Sequence, residues 1–290
     1  MKRRLDFADH RRALGDNRYV YPVVSRRSKG LSIGVNLNPD KVCNFDCPYC
    51  QVDRSTPPAW REVDLGVLEE ELDALLELAA SGQIWQHPPF ETAAPELRRV
   101  NDIAFAGDGE PTTFKGFGAA LEIVERLRDR HGLRAVQPVV LTNATRLHRP
   151  EVQLALRVLD RMDGRLWAKL DAGTDAYFQF VDGTKMSLKR ILDNLGDCLE
   201  QRPLVLQSMF LRLLGQGPSE HEIQRYLEHL AALSRRGTIE LVQVYSIARV
   251  PARPVLDMLP TPALEEIAAA VRSLGIPAEV YAGRPTESPS

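Results

Sequence analysis

In Leu31-Ser32-Ile33-Gly34-Val35-Asn36-Leu37-Asn38-Pro39-Asp40-Lys41-Val42-Cys43-Asn44-Phe45-Asp46-Cys47-Pro48-Tyr49-Cys50 a strand runs into a cluster of thiols. The opening apolar run, residues 31–37, reads as a buried β-strand. Cys43, Cys47 and Cys50 follow with the spacing C-x3-C-x2-C. Parallel α/β folds carry their chemistry on loops at the carboxyl ends of strands. Three sulfurs at that position therefore read as a ligand set.

Thiolates are soft ligands that select zinc or iron–sulfur clusters. A structural zinc site needs four closed ligands. The fourth would be Cys198 or a histidine, but no His lies within thirty residues of the trio and Cys198 falls in a distant helical pattern. Three ligands on a four-iron cluster leave one iron without protein ligation, open to the amino and carboxylate groups of a methionine moiety. Three buried structural thiols are the plain alternative. Cys198 itself reads as a buried helix residue.

Further strands are expected over residues 102–106, 136–141, 166–170, 204–211 and 239–247, with a short last one over 278–281. Helices are expected over 65–81, 116–131, 150–161, 187–201, 219–236 and 261–274. Asp64 stands as an N-cap and Ser187 as another candidate, Pro150 opens a helix, and Gly132 and Gly275 sit just past helix ends. Residues 83–95, with three prolines, read as a loop. Strands alternating with helices imply a parallel sheet with right-handed crossovers. Six such units suit an α/β fold of partial (β/α)6 TIM-like barrel type.

The 290 residues are 44% hydrophobic and 26% charged, a globular composition with no apolar run long enough for a membrane span. Met1–Asp6 is basic but lacks the apolar stretch of a secretory signal, so a cytoplasmic protein is expected. Four cysteines are too few for a disulfide scaffold. Residues 1–30 hold nine Lys/Arg against three Asp, a charge of +6; with −2 overall, the remainder carries −8. A basic extension over residues 1–30 suits an anionic partner, RNA among them, or is a solvated surface arm. The reading divides the chain into that extension, a core over 31–282 and a disordered tail over 283–290.

The C-x3-C-x2-C motif with Tyr49 before its last cysteine, placed after a first barrel strand, resembles the radical S-adenosylmethionine (radical SAM) superfamily. The resemblance runs from residue 31 to about 282. It implies a [4Fe–4S] cluster on Cys43, Cys47 and Cys50, and S-adenosylmethionine cleaved by one electron to methionine and a 5′-deoxyadenosyl radical. It also implies a reductant such as flavodoxin or ferredoxin. The cofactor carries the hard chemistry and the protein positions it. Gly107-Asp108-Gly109-Glu110, after the second strand, is similar to the superfamily's Gly-Gly-Glu motif, which gives Gly109 and Glu110 to the methionine amino group. Thr142-Asn143-Ala144 resembles the family's Thr-Asn-Gly and places Asn143 at the cofactor.

Lys169 and Asp171 alternate on one strand and point the same way. Buried charges are rare unless paired or functional, so they form a structural pair or serve the site, Asp171 at ribose hydroxyls and Lys169 as a catalytic group at the substrate. Arg212 is a candidate for the methionine carboxylate, and Gln243 and Tyr245 for the pocket lining. The combination of Cys-Asn-Phe-Asp-Cys-Pro-Tyr-Cys, Gly-Glu-Pro-Thr and Lys-Leu-Asp-Ala-Gly is most similar to the wyosine-synthase-like group. Archaeal members of that group use a second cluster on three upstream cysteines, and this sequence has none before Cys43. The core chemistry carries over; the substrate does not. An iron–sulfur electron-transfer or scaffold protein is the competing reading, and it leaves the Gly-Asp-Gly-Glu loop unexplained.

Overall fold

A computed structural model describes residues 17–25, 27, 29–247 and 256–283. The basic extension lies mostly outside the described residues, as does the tail beyond Gly283. The strands are β1 (Val20–Ser25), β2 (Gly30–Val35), β3 (Val100–Phe105), β4 (Gln137–Thr142), β5 (Arg165–Lys169), β6 (Leu204–Met209), β7 (Leu211–Leu213), β8 (Ile239–Tyr245), β9 (Leu256–Met258) and β10 (Ala278–Tyr281). The helices are α1 (Leu65–Ala80), α2 (Phe117–Arg130), α3 (Pro150–Arg161), α4 (Asp175–Val181), α5 (Leu188–Leu199), α6 (Glu220–Ser234) and α7 (Thr261–Ser273). Eight strands form a sheet in the order β1-β2-β3-β4-β5-β6-β8-β10. β1 runs antiparallel to its neighbour, β2; β2–β3, β3–β4, β5–β6, β6–β8 and β8–β10 are parallel. Parallel neighbours need a long crossover, which the helices supply.

The chain divides into two compact units. Among the described residues, the first holds those up to Cys43, Asp53–Leu141 and Arg149–Arg165; the second holds Asn44–Val52, Thr142–His148 and those from Leu166 onward.

In the first unit, β2 is buried at every position, as an apolar strand covered on both faces must be. Helix α1 buries Leu68, Leu72, Leu75, Leu76 and Ala79, a stripe at helical spacing. Asp64 caps it, its carboxylate accepting from the N–H groups of Gly66 at 2.9 Å and Val67 at 3.2 Å. Pro150 opens α3 as read. Strand β1 was not anticipated. Its alternating burial fits an edge strand, the place where Pro22 costs no ladder hydrogen bond. The Glu71 carboxylate on α1 accepts from the backbone N–H groups of Arg18, Tyr19 and Val20 at 2.7, 2.9 and 3.1 Å. One acidic side chain thus fixes the entry to the strand.

In the second unit, β6 is wholly buried, and α5 packs Leu188, Ile191, Leu195, Cys198 and Leu199 inward. Cys198 is fully buried there, with Arg202 Nη1 donating to its sulfur at 3.4 Å. The strand expected over 204–211 ends at Met209. Beyond Phe210 the chain continues as β7, which pairs with β9 in a two-stranded antiparallel ribbon. Short helix α4 was also not anticipated; Thr174 caps it, its hydroxyl accepting from the Tyr177 N–H at 3.3 Å. Among the described residues no helix is long and apolar enough to cross a membrane.

Candidate active site

Within the first unit, the loops that follow β2 and β3 are knitted together. Asn36 Oδ1 accepts from the Asp108 N–H at 3.1 Å, and Asn36 Nδ2 donates to Asp108 Oδ2 at 2.8 Å. Asn38 Nδ2 reaches Thr113 Oγ1 at 3.2 Å. Gly109 has no room for a side chain, since a Cβ there would lie 2.2 Å from the Val42 carbonyl oxygen and 2.7 Å from Asn38 Cγ. That close approach explains the glycine without any need for a ligand. Glu110 is buried, and its Oε1 accepts from Thr112 Oγ1 at 2.5 Å and Thr112 N at 3.2 Å, capping the 3-10 turn Pro111–Thr113. Cys43, half-buried, ends the β2 loop.

Within the second unit, Lys169 at the end of β5 is the hub of a part-buried polar network built on two buried carboxylates. Its ammonium donates to Tyr49 Oη, Asp171 Oδ2 and Asp182 Oδ1. Tyr49 Oη in turn donates to Asp171 Oδ2 at 2.6 Å, and the Met209 N–H donates to Asp171 Oδ1 at 2.8 Å. Burial opposes the charge on Lys169, but Asp171 and Asp182 outweigh it and hold its pKa well above the ordinary lysine value. Burial, helped by Asp171, likewise pushes the Tyr49 phenol up. Burial raises the Asp182 carboxyl against the pull of Lys169. The Cys47 thiol lies 3.6 Å from Asp182 O and 3.7 Å from Asp182 Oδ1. Burial pushes that thiol up to about 12, with Lys169 drawing it back.

Asn143 holds the start of the cysteine loop, its Nδ2 donating to Asn44 Oδ1 at 2.6 Å while Asn44 Nδ2 donates to Thr145 Oγ1 at 2.5 Å. Ala144 takes φ +64° where the related pattern has glycine. Arg212 is the outlier. It lies in β7, half-buried and opposite Asp257 of the ribbon, rather than at the end of a parallel strand as its sequence placement implied. Gln243 is buried, accepting from Gln207 Nε2 at 2.7 Å.

Tyr49, Lys169 and Asp171 are thus joined, as are Asn143 and the cysteine loop. Asp182, Asn44, Asn36 and Asn38 were missed. Asp182 follows a helix too short for its periodicity to show; Asn36 reads in the sequence only as part of the first strand, and Asn38 and Asn44 are given no role of their own.

The donor set suits an iron–sulfur cluster. Three half-buried thiols, none in a disulfide, lie on one loop, where the Cys50 N–H donates to the Cys47 carbonyl at 2.9 Å in a tight turn. Among the described residues no three Cys, His, Asp or Glu side chains are gathered at metal-binding distance. The fit therefore rests on ligand chemistry and loop placement.

No protein-family model matches the chain. Among solved structures, a radical SAM methyltransferase from Sphaerobacter thermophilus superposes with a TM-score of 0.61 at 16% identity, covering 88% of this chain and 67% of its own. The fold is that of radical SAM enzymes. TYW1 with a lysine–pyruvate adduct bound shares it, with a TM-score of 0.53 at 15% identity over 92% of this chain and 79% of its own. The expected α/β class, a mostly parallel TIM-like sheet with helices, is therefore the observed one. Among curated relatives, the UPF0026 protein slr1464 of Synechocystis is 32% identical over 51% of this chain and 49% of its own length. A GTPase Obg of Brachyspira hyodysenteriae is 27% identical over 58% of this chain and 21% of its own length. The chain spans less than half the length of the curated relatives it matches.

Proposed function

We propose that the chain is a radical SAM enzyme, with Cys43, Cys47 and Cys50 holding a [4Fe–4S] cluster. The carrying observation is a trio of cysteines outside any disulfide at C-x3-C-x2-C spacing, on the loop after the first parallel strand of a radical SAM fold. When bound, the cluster and S-adenosylmethionine together supply a 5′-deoxyadenosyl radical that takes a hydrogen atom from substrate.

The chain's own residues hold, orient and exclude water. Burial pushes the Cys47 thiol up, so holding a cluster there would require that thiol to give up its proton. Glu110 is the proposed partner of the methionine ammonium and Asp171 of the ribose hydroxyls. Tyr49, Gly109 and Asn143 are proposed as further cofactor-binding residues, and Arg212 is proposed for the carboxylate. Lys169, an ammonium with three acceptors, acts as a charged donor rather than as a free amine nucleophile. The GTPase name of one relative finds no support here, because the sequence lacks the Gly-Lys pair of a phosphate-binding P-loop.

RNA is the proposed substrate class, supported by the nine basic residues among the first thirty. Flavodoxin or ferredoxin is the proposed reductant. The test is anaerobic reconstitution followed by dithionite in the presence of S-adenosylmethionine. The parent chain is expected to form methionine and 5′-deoxyadenosine, and Cys47→Ala neither. A parent that binds a cluster but leaves the cofactor intact is an electron carrier or scaffold; one that holds only zinc is neither.

A further inference from the structure

The cysteine loop of the second unit is gripped at three points without any metal. Its start is held by Asn143 on Asn44. Its end is held by Tyr49 on Asp171 and Lys169. Its middle lies on the turn that ends α4. There the Asp46 N–H donates to the Gly183 carbonyl at 3.3 Å, and the Phe45 ring meets Phe178 edge-on at 5.8 Å. Gly183, at φ +56°, lies so close that a Cβ would fall 1.9 Å from the Asp46 carbonyl oxygen. Only glycine fits that position on both counts. Asp182 joins the middle grip to the end grip, because its carboxylate meets both the Cys47 thiol and the Lys169 ammonium that holds Tyr49.

We infer that the Asp182–Gly183 turn is a mould that sets the cysteine loop before the cluster arrives, and that Asp182 is a positioning residue for Cys47. The inference rests on the radical SAM reading for the identity of what Cys47 ligates; the mould itself does not. Ordering a loop costs conformational entropy residue by residue, and a loop whose backbone is already held meets the cluster with only its thiol side chains left to arrange. Asp182 also sets a negative charge beside one ligand, which favours the oxidised cluster.

The test uses the full chain in two states. In the metal-free protein, Asp182→Asn and Gly183→Ala are compared with the parent by hydrogen exchange over residues 44–52 and by the rate of Cys47 alkylation. Both variants are expected to exchange faster there and to alkylate Cys47 faster, Asp182→Asn by about tenfold, the scale of one lost charge-assisted contact. Parental exchange and alkylation in both overturn the mould. In the reconstituted protein, potentiometry separates positioning by charge from shape alone. Asp182→Asn is expected to shift the cluster to a less negative potential, while Gly183→Ala leaves it near the parental value. Equal shifts in both overturn the charge role of Asp182. A parent that takes up no cluster sinks the radical SAM reading, and the metal-free comparison still decides the mould.

Discussion

Lys169, its own side chain partly exposed, has three acceptors, and two of them are the buried carboxylates of Asp171 and Asp182. Removing one partner of a buried pair leaves the other charges uncompensated, at roughly 3–5 kcal/mol. Lys169→Ala is therefore expected to lower urea-unfolding stability by about that much; a loss within the scatter of surface substitutions contradicts the network. Ala144 shows a smaller effect. Its φ of +64° costs an L-residue more than it costs glycine, so Ala144→Gly is expected to raise the melting temperature, by up to about 1 kcal/mol in stability. Glu110 caps its own turn through Oε1. Glu110→Gln keeps that acceptor and loses the charge, so it is expected to retain the fold and weaken S-adenosylmethionine binding, read by equilibrium dialysis of the reconstituted protein. Undiminished affinity removes Glu110 from the cofactor site.

Among the elements, the entry to β1 is fixed by a single side chain of α1. Glu71 accepts from three consecutive backbone donors, so Glu71→Ala leaves three N–H groups to find water. Hydrogen exchange over residues 18–25 is expected to speed up while α1 stays protected; unchanged exchange contradicts the clasp. The same pair shows where the sequence was legible. The helix expected over 65–81 occupies Leu65–Ala80, because a capping aspartate and an apolar stripe both mark it. Strand β1 was hidden because its anchor lies far along the chain and Pro22 argues against a strand. Helix α4 has too few turns for a periodic stripe, so Asp182 went unnoticed behind it. Lys169 and Asp171 were legible as a pair by their alternation, but their third partner came from a contact that no spacing reveals. Arg212 was placed on a parallel strand because the apolar run 204–211 gives no sign of the break after Met209.

For the molecule as a whole, the fold, the cysteine spacing and the charge asymmetry make separable claims. The fold is shared with radical SAM enzymes at identities that say nothing of substrate. The basic first thirty residues make the claim about RNA, and counterion release supplies its signature: affinity should fall steeply as salt rises from low to physiological. Filter binding that is weak, or insensitive to salt, removes RNA from the account and leaves the cofactor chemistry untouched. The central claim is that three protein thiolates leave one iron open to S-adenosylmethionine. Its most direct measurement is electron paramagnetic resonance of the reduced, reconstituted protein with and without the cofactor. The account predicts a four-iron signal whose g-values shift when S-adenosylmethionine is added; a signal indifferent to it, or a protein carrying only zinc, contradicts the account.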